Sequence, residues 1–142
     1  MPPYRFLEGI VTADLAFEAT GKDLNALFTN AALAVLESQV KLATVSSKVT
    51  KKVVLENDDV GQLLFDFLNE IIFFKDAEQL IFKTVKAAVT KNEAYKLVAV
   101  LKGEKIDMKK HELGNDLKAV TMHKFIVEQK KTGWRCQVVI DI

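Results

Sequence analysis

Apolar side chains recur at intervals of three and four between Lys22 and Gln39, at Leu24, Leu27, Phe28, Ala31 and Val35. That spacing makes one stripe along a helix. Asp23, just after Gly21, is placed to cap it by accepting an orphan backbone N–H bond. A second helix is expected from about Asp58 to Phe74, with Val60, Leu64, Phe67, Leu68, Ile71 and Ile72 toward the core. There Asp66, Asn69 and Glu70 should face away and Asp58 should be the cap. Each helix is too apolar on one side to stand in water, so both should pack on a sheet.

Elsewhere the period shortens to two. Ala13, Leu15 and Phe17 alternate with Asp14, Ala16 and Glu18, so one face of a strand is apolar and the other carries carboxylates. Val49, Lys51, Val53 and Leu55 suggest a second strand. The runs 80–89 and 95–102 flank a polar stretch and read as a hairpin, as do 117–128 and 134–140 around residues 130–133. In the last strand Trp134, Cys136, Val138 and Ile140 share one face. Strands outnumber helices and come in hairpins, which predicts an α+β fold: two helices packed on a largely antiparallel β-sheet. Residues 103–116 form the one long polar stretch and are expected as a loop, of a length that usually carries function or is disordered.

The 142 residues are about one domain's worth, and neither a repeat nor a linker divides them, so residues 1–142 are taken as one domain. The 49% hydrophobic and 27% charged composition argues against disorder. A single cysteine excludes an internal disulfide and a cysteine-based zinc cage, which fits a reducing cytoplasm. No apolar run approaches the ~20 residues a membrane helix needs, and no secretory pattern follows the N-terminus. Lys+Arg 20 against Asp+Glu 19 is too balanced for tight nucleic-acid binding driven by bulk charge.

The chain carries no GxSxG elbow and no glycine-rich phosphate loop, and its two histidines, His111 and His123, preclude a three-histidine metal site. Cys136 reads as a buried, inert thiol. His123 reads as a hydrogen-bonded structural histidine beside Thr121 and Phe125, and His111 with Glu112 as a solvated pair in the polar loop. Asp14 and Asp141 each sit on the polar face of a strand, and Ile142 adds a main-chain or terminal oxygen beside Asp141. If the first and last strands lie side by side, hard oxygen ligands converge there, suited to Ca²⁺ or Mg²⁺. The alternative is two solvated aspartates at opposite ends of the chain.

Taken in order, certain motifs form a set. They are Thr12-Ala13-Asp14; residues 28–34 (FTNAALA); residues 63–70 (LLFDFLNE); Gly103-Glu104 with His111-Glu112; residues 118–123 (KAVTMH); and the closing Val139-Ile140-Asp141-Ile142. This ordered set, from about Tyr4 to Ile142, resembles the archease family. The resemblance implies an α+β fold and a role as an accessory protein rather than an enzyme. The expected partner is the GTP-dependent tRNA-splicing RNA ligase, whose guanylylation and multiple turnover archeases promote. A chaperone-like influence on a tRNA methyltransferase, or a contact with tRNA, is also implied; no membrane and no DNA partner is expected. The implied cofactor is a divalent cation, Ca²⁺ ahead of Mg²⁺, with Asp14, Asp141 and Ile142 as ligands.

One departure matters. The family commonly has His before Thr-Ala-Asp, where this chain has Val11, so any role of that histidine is lost. Met122 stands where an aromatic is usual. Glu8, His111, Glu112, Lys118 and His123 are candidate partner contacts or supports around the ligands. Two rival readings remain. A direct RNA-binding module would need a basic stripe with exposed aromatics, whereas the lysine doublets here are dispersed. A small metal-dependent hydrolase would need a general base and a pocket, which the sequence does not identify.

Overall fold

A computed structural model of the chain describes residues 3–11 and 14–142. Thr12 and Ala13, which the sequence reading placed in a motif and in the first strand, lie outside the described residues. The elements run β1 (Tyr4–Leu7), β2 (Leu15–Gly21), α1 (Leu24–Gln39), a short 3₁₀ turn (Leu42–Thr44) and β3 (Val49–Asn57). They continue through α2 (Val60–Glu78), β4 (Leu80–Lys91), β5 (Tyr95–Lys105), β6 (Ala119–Lys130) and β7 (Gly133–Asp141).

Local chemistry accounts for both helix starts. The Asp23 carboxylate accepts the Ala26 N–H at 2.8 Å, satisfying one of the donors that a first turn leaves orphaned. In α2 the cap is Asp59 rather than Asp58: its Oδ1 accepts from the N–H groups of Gly61 and Gln62. The second helix is also one turn longer than its apolar stripe, ending only where Gln79 turns left-handed at φ 55°. Asn69 does not face away. Its side chain accepts the Val120 N–H at 2.9 Å and so ties α2 to β6.

The strands are antiparallel throughout but form two sheets, ordered β1-β2-β7-β6 and β3-β5-β4. Both helices touch both sheets: α1 packs on β2 and β4, α2 on β6 and β3. The core fills the space between, with Phe28 stacked on Phe67 and Phe74 set edge-on to Phe82. Burying aromatic and aliphatic side chains at this density is the main force holding the layers together. Gly103 lets β5 pass close to β4, because a Cβ there would meet the Ile81 carbonyl oxygen at 1.9 Å. Beside it the ladder slips between Phe82 and Thr84.

A second irregularity overturns an expectation. The β6–β7 register shifts between Thr121 and Ile126, and Lys124 takes φ 53°. Strict alternation fails across the bulge, so His123 is exposed and not a hydrogen-bonded structural residue. Phe125 instead turns onto Phe65, ring centres 5.7 Å apart.

Candidate functional site

The first and last long strands do lie side by side. In the β2–β7 ladder Leu15 pairs with Ile140, Phe17 with Val138 and Ala19 with Cys136. Asp14 and Asp141 are the residues that follow immediately on the ladder's end pair, Leu15–Ile140. Asp14 is half-buried and Asp141 exposed, and among the described residues neither carboxylate takes part in a salt bridge. Two carboxylates at adjoining strand ends repel each other unless a cation lies between or near them.

Four strand ends meet here. β1 runs antiparallel to β2, so Glu8, one residue past β1, emerges at the same end and is exposed. β6 begins here too: Ala119 pairs with Asp141, and the Lys118 N–H donates to the Asp141 carbonyl at 2.8 Å. Lys118 itself is exposed, and Ile142 is 36% exposed. Glu18, which the sequence put on the same polar face as Asp14, is otherwise engaged. Its carboxylate accepts from the guanidinium groups of Arg5 and Arg135.

The donor set is therefore two side-chain carboxylates and the Ile142 main-chain oxygen. Among the described residues no group of three or more His, Cys, Asp or Glu assembles into a metal cage. An all-oxygen set suits a hard cation, and its small size leaves coordination positions to water or to a partner's oxygens, since Ca²⁺ takes about 6–8. The residues present fit a partly coordinated divalent ion and do not fit zinc.

His111 and Glu112 belong elsewhere, and the expected solvated pair is not what forms. His111 is buried: its Nε2–H donates to Glu104 Oε2 at 3.0 Å, and its Nδ1 accepts the Asp107 N–H at 2.8 Å. Both ring nitrogens are engaged, which assigns the proton to Nε2 and removes His111 as a partner contact. Glu104, only 6% exposed, also accepts from the Ser46 N–H and the Lys110 ammonium, both at 2.6 Å. The Lys110, His111 and Ser46 donors hold its carboxyl down at about 2. Glu104 thus clamps two loops onto the end of β5. Glu104 stands in the Gly103-Glu104 motif with no role legible from sequence beyond that of a glutamate closing an apolar strand seven residues before a histidine. Glu112 is exposed and lies 3.6 Å from the Lys41 ammonium. Cys136 is fully buried and its thiol is pushed up to about 12 by burial, as an inert thiol should be.

Against known proteins, the chain matches the sequence model of the Archease protein family over residues 4–142. The archease of Pyrococcus abyssi is 35% identical over 133 residues, covering 92% of this chain and 94% of that protein. The archease of Methanosarcina acetivorans is 33% identical, covering 98% and 95%. Among solved structures, Protein 1598 of Methanobacterium thermoautotrophicum superposes with a TM-score of 0.83 at 30% identity, covering all of both chains. A structure from Thermotoga maritima, described as an archease and possible chaperone, has a TM-score of 0.64 at 22% identity over 93% of each chain. That last likeness speaks to the fold alone.

Proposed function

The chain belongs to the archease family, and from that membership and the place of Asp14 and Asp141 at the end of the β2–β7 ladder we propose that it is an accessory protein of the GTP-dependent tRNA-splicing RNA ligase. In this reading it promotes ligase guanylylation and multiple turnover and performs no bond chemistry itself. Asp14, Asp141 and the Ile142 main-chain oxygen hold a divalent cation, Ca²⁺ or Mg²⁺. When bound, the ion supplies positive charge to phosphate oxygens and a fixed point around which they are oriented.

The chain's own contribution is placement. Asp14 immediately precedes a seven-residue strand paired on both sides, and Asp141 ends a strand that lies between two others. Both therefore adjoin the end of the β2–β7 ladder. Holding reacting groups in a set geometry removes an entropic barrier without any covalent step. The Lys118 backbone is tied to Asp141 and its side chain is exposed at the same end of the sheet, open to a partner's phosphate or carboxylate.

The observation that carries this reading is that Asp14 and Asp141 both adjoin the Leu15–Ile140 end of the β2–β7 ladder. It is tested by following transfer of labelled GMP from GTP to the purified ligase. Wild-type protein should accelerate the transfer in the presence of divalent cation, and Asp14→Asn combined with Asp141→Asn should not. Equal acceleration by both proteins would remove the metal site from the mechanism.

A further inference from the structure

The lysines are scattered along the sequence, but the register of the second sheet gathers some of them. The inner face of β3-β5-β4 carries Val53, Leu97, Ala99, Leu101, Val85 and Ala87, all buried in the core. The other face is open to solvent. There Lys52 pairs across Val100 with Lys86, so that the two lysines stand two strand spacings apart, about 10 Å. One pleat along, Lys102 lies between Thr50 and Thr84, and at the far end Lys96 lies opposite Glu56. All four lysines are exposed.

Among the described residues, lysines without a carboxylate within 4.0 Å occur elsewhere on the surface too, Lys22, Lys109 and Lys131 among them, but here four share one side of one sheet. Arg5, Lys41, Lys48, Lys51, Lys75, Lys110, Lys130 and Arg135 each have a carboxylate within 4.0 Å; among the described residues Lys52, Lys86, Lys96 and Lys102 have none. Glu56 is the one exposed acidic side chain on this side of the three strands; Glu104, on the same side of β5, is buried and engaged by Lys110 and His111. The chain as a whole is near neutral at +1, so a four-to-one excess on one sheet face is a concentration of charge that the composition conceals. The face is also shaped. A shallow trough of about 330 Å³ opens in it, lined by Thr84, Val85, Lys86, Val100 and Lys102.

We propose that this open face of the β3-β5-β4 sheet binds the phosphodiester backbone of an RNA duplex. Unpaired lysines around a trough floored by valine and threonine offer charge and hydroxyl donors to phosphates. The outward positions hold no aromatic ring on which an unstacked base would lie, so the face reads backbone shape and not sequence. The choice of RNA over another polyanion rests on the reading above, that the protein serves an RNA ligase; the charge and shape of the face do not.

Fluorescence anisotropy with a labelled RNA hairpin tests this without any ligase present, so the result is independent of the guanylylation assay. Four lysine–phosphate contacts predict a slope of log K against log salt of about −3.6, roughly a hundredfold loss of affinity between 50 and 200 mM salt. Lys52→Gln, Lys86→Gln and Lys102→Gln together should weaken binding at least tenfold and bring the slope to about −1. Lys22→Gln, Lys109→Gln and Lys131→Gln together, removing as much charge from other exposed positions, should change affinity less than threefold. Circular dichroism of both triple variants should match wild type, since every substituted side chain is in solvent. The proposal is overturned if the hairpin does not bind, if the two triple variants weaken binding alike, or if polyglutamate competes as well as unlabelled RNA.

Discussion

Asp14 and Asp141 adjoin the Leu15–Ile140 pair, at the end of a ladder that runs without a slip from Gly21–Trp134. Nothing in the packing requires carboxylates there, and the fold tolerates their repulsion at a solvent-facing sheet end. Without divalent cation, Asp14→Asn with Asp141→Asn should therefore melt no lower than wild type. With calcium at about 100 times Kd, wild type should gain about 2.7 kcal/mol, roughly 8 °C in midpoint, and the double variant nothing. Thermal melts with and without chelator measure both signs.

The Glu104–His111 pair makes a separate prediction. Replacing His111 by Ala removes a fully buried side chain and leaves the Asp107 N–H and the Glu104 carboxylate each short of a partner. The loss should be about 2–3 kcal/mol in urea denaturation, with an unchanged m-value. Stimulation of the ligase per folded molecule should be retained, because the clamp lies on the other sheet from Asp14 and Asp141.

Acid should act on the same clamp. The folded carboxyl of Glu104 lies at about 2, below the ordinary 4.5, so the folded state resists its protonation. Its contribution is complete above the unfolded value and is lost as pH falls from about 4.5 toward 2. Glu104→Gln should flatten the fall in stability across that window while lowering stability at pH 7, as seen in urea midpoints taken at several pH values.

How much of this was legible beforehand depended on whether the signal was local. The Asp23 cap, both helices and both hairpins are written in short-range spacing, and they form where the spacing puts them. The Asp58–Asp59 misplacement is one residue wide because neighbouring aspartates offer the same chemistry, and only the turn geometry chooses between them. β1 was missed: Tyr4–Leu7 is four residues long and its side chains do not alternate cleanly. The division of the strands into two sheets, the burial of His111 and the gathering of Lys52, Lys86 and Lys102 all arise from pairing between segments far apart in sequence. For Asp14 and Asp141, residue type suggested a site, and the β2–β7 pairing, which spacing along the chain does not contain, brings the adjoining strand ends together.

Cys136 offers a check on the packing of that same ladder. With its side chain buried and its thiol pushed up to about 12, it should react with a disulfide reagent at pH 8 only through opening of the β2–β7 pair. The modification rate in native buffer should fall at least a hundredfold below that in denaturant, and should rise with urea as stability falls.

The most direct test of the central claim is a ligation assay with tRNA halves in large excess over ligase. With this protein and a divalent cation present, each ligase molecule should join many substrates, and Asp14→Asn with Asp141→Asn should return the yield to that of ligase alone. Product accumulation by the double variant as fast as by wild type would contradict the account.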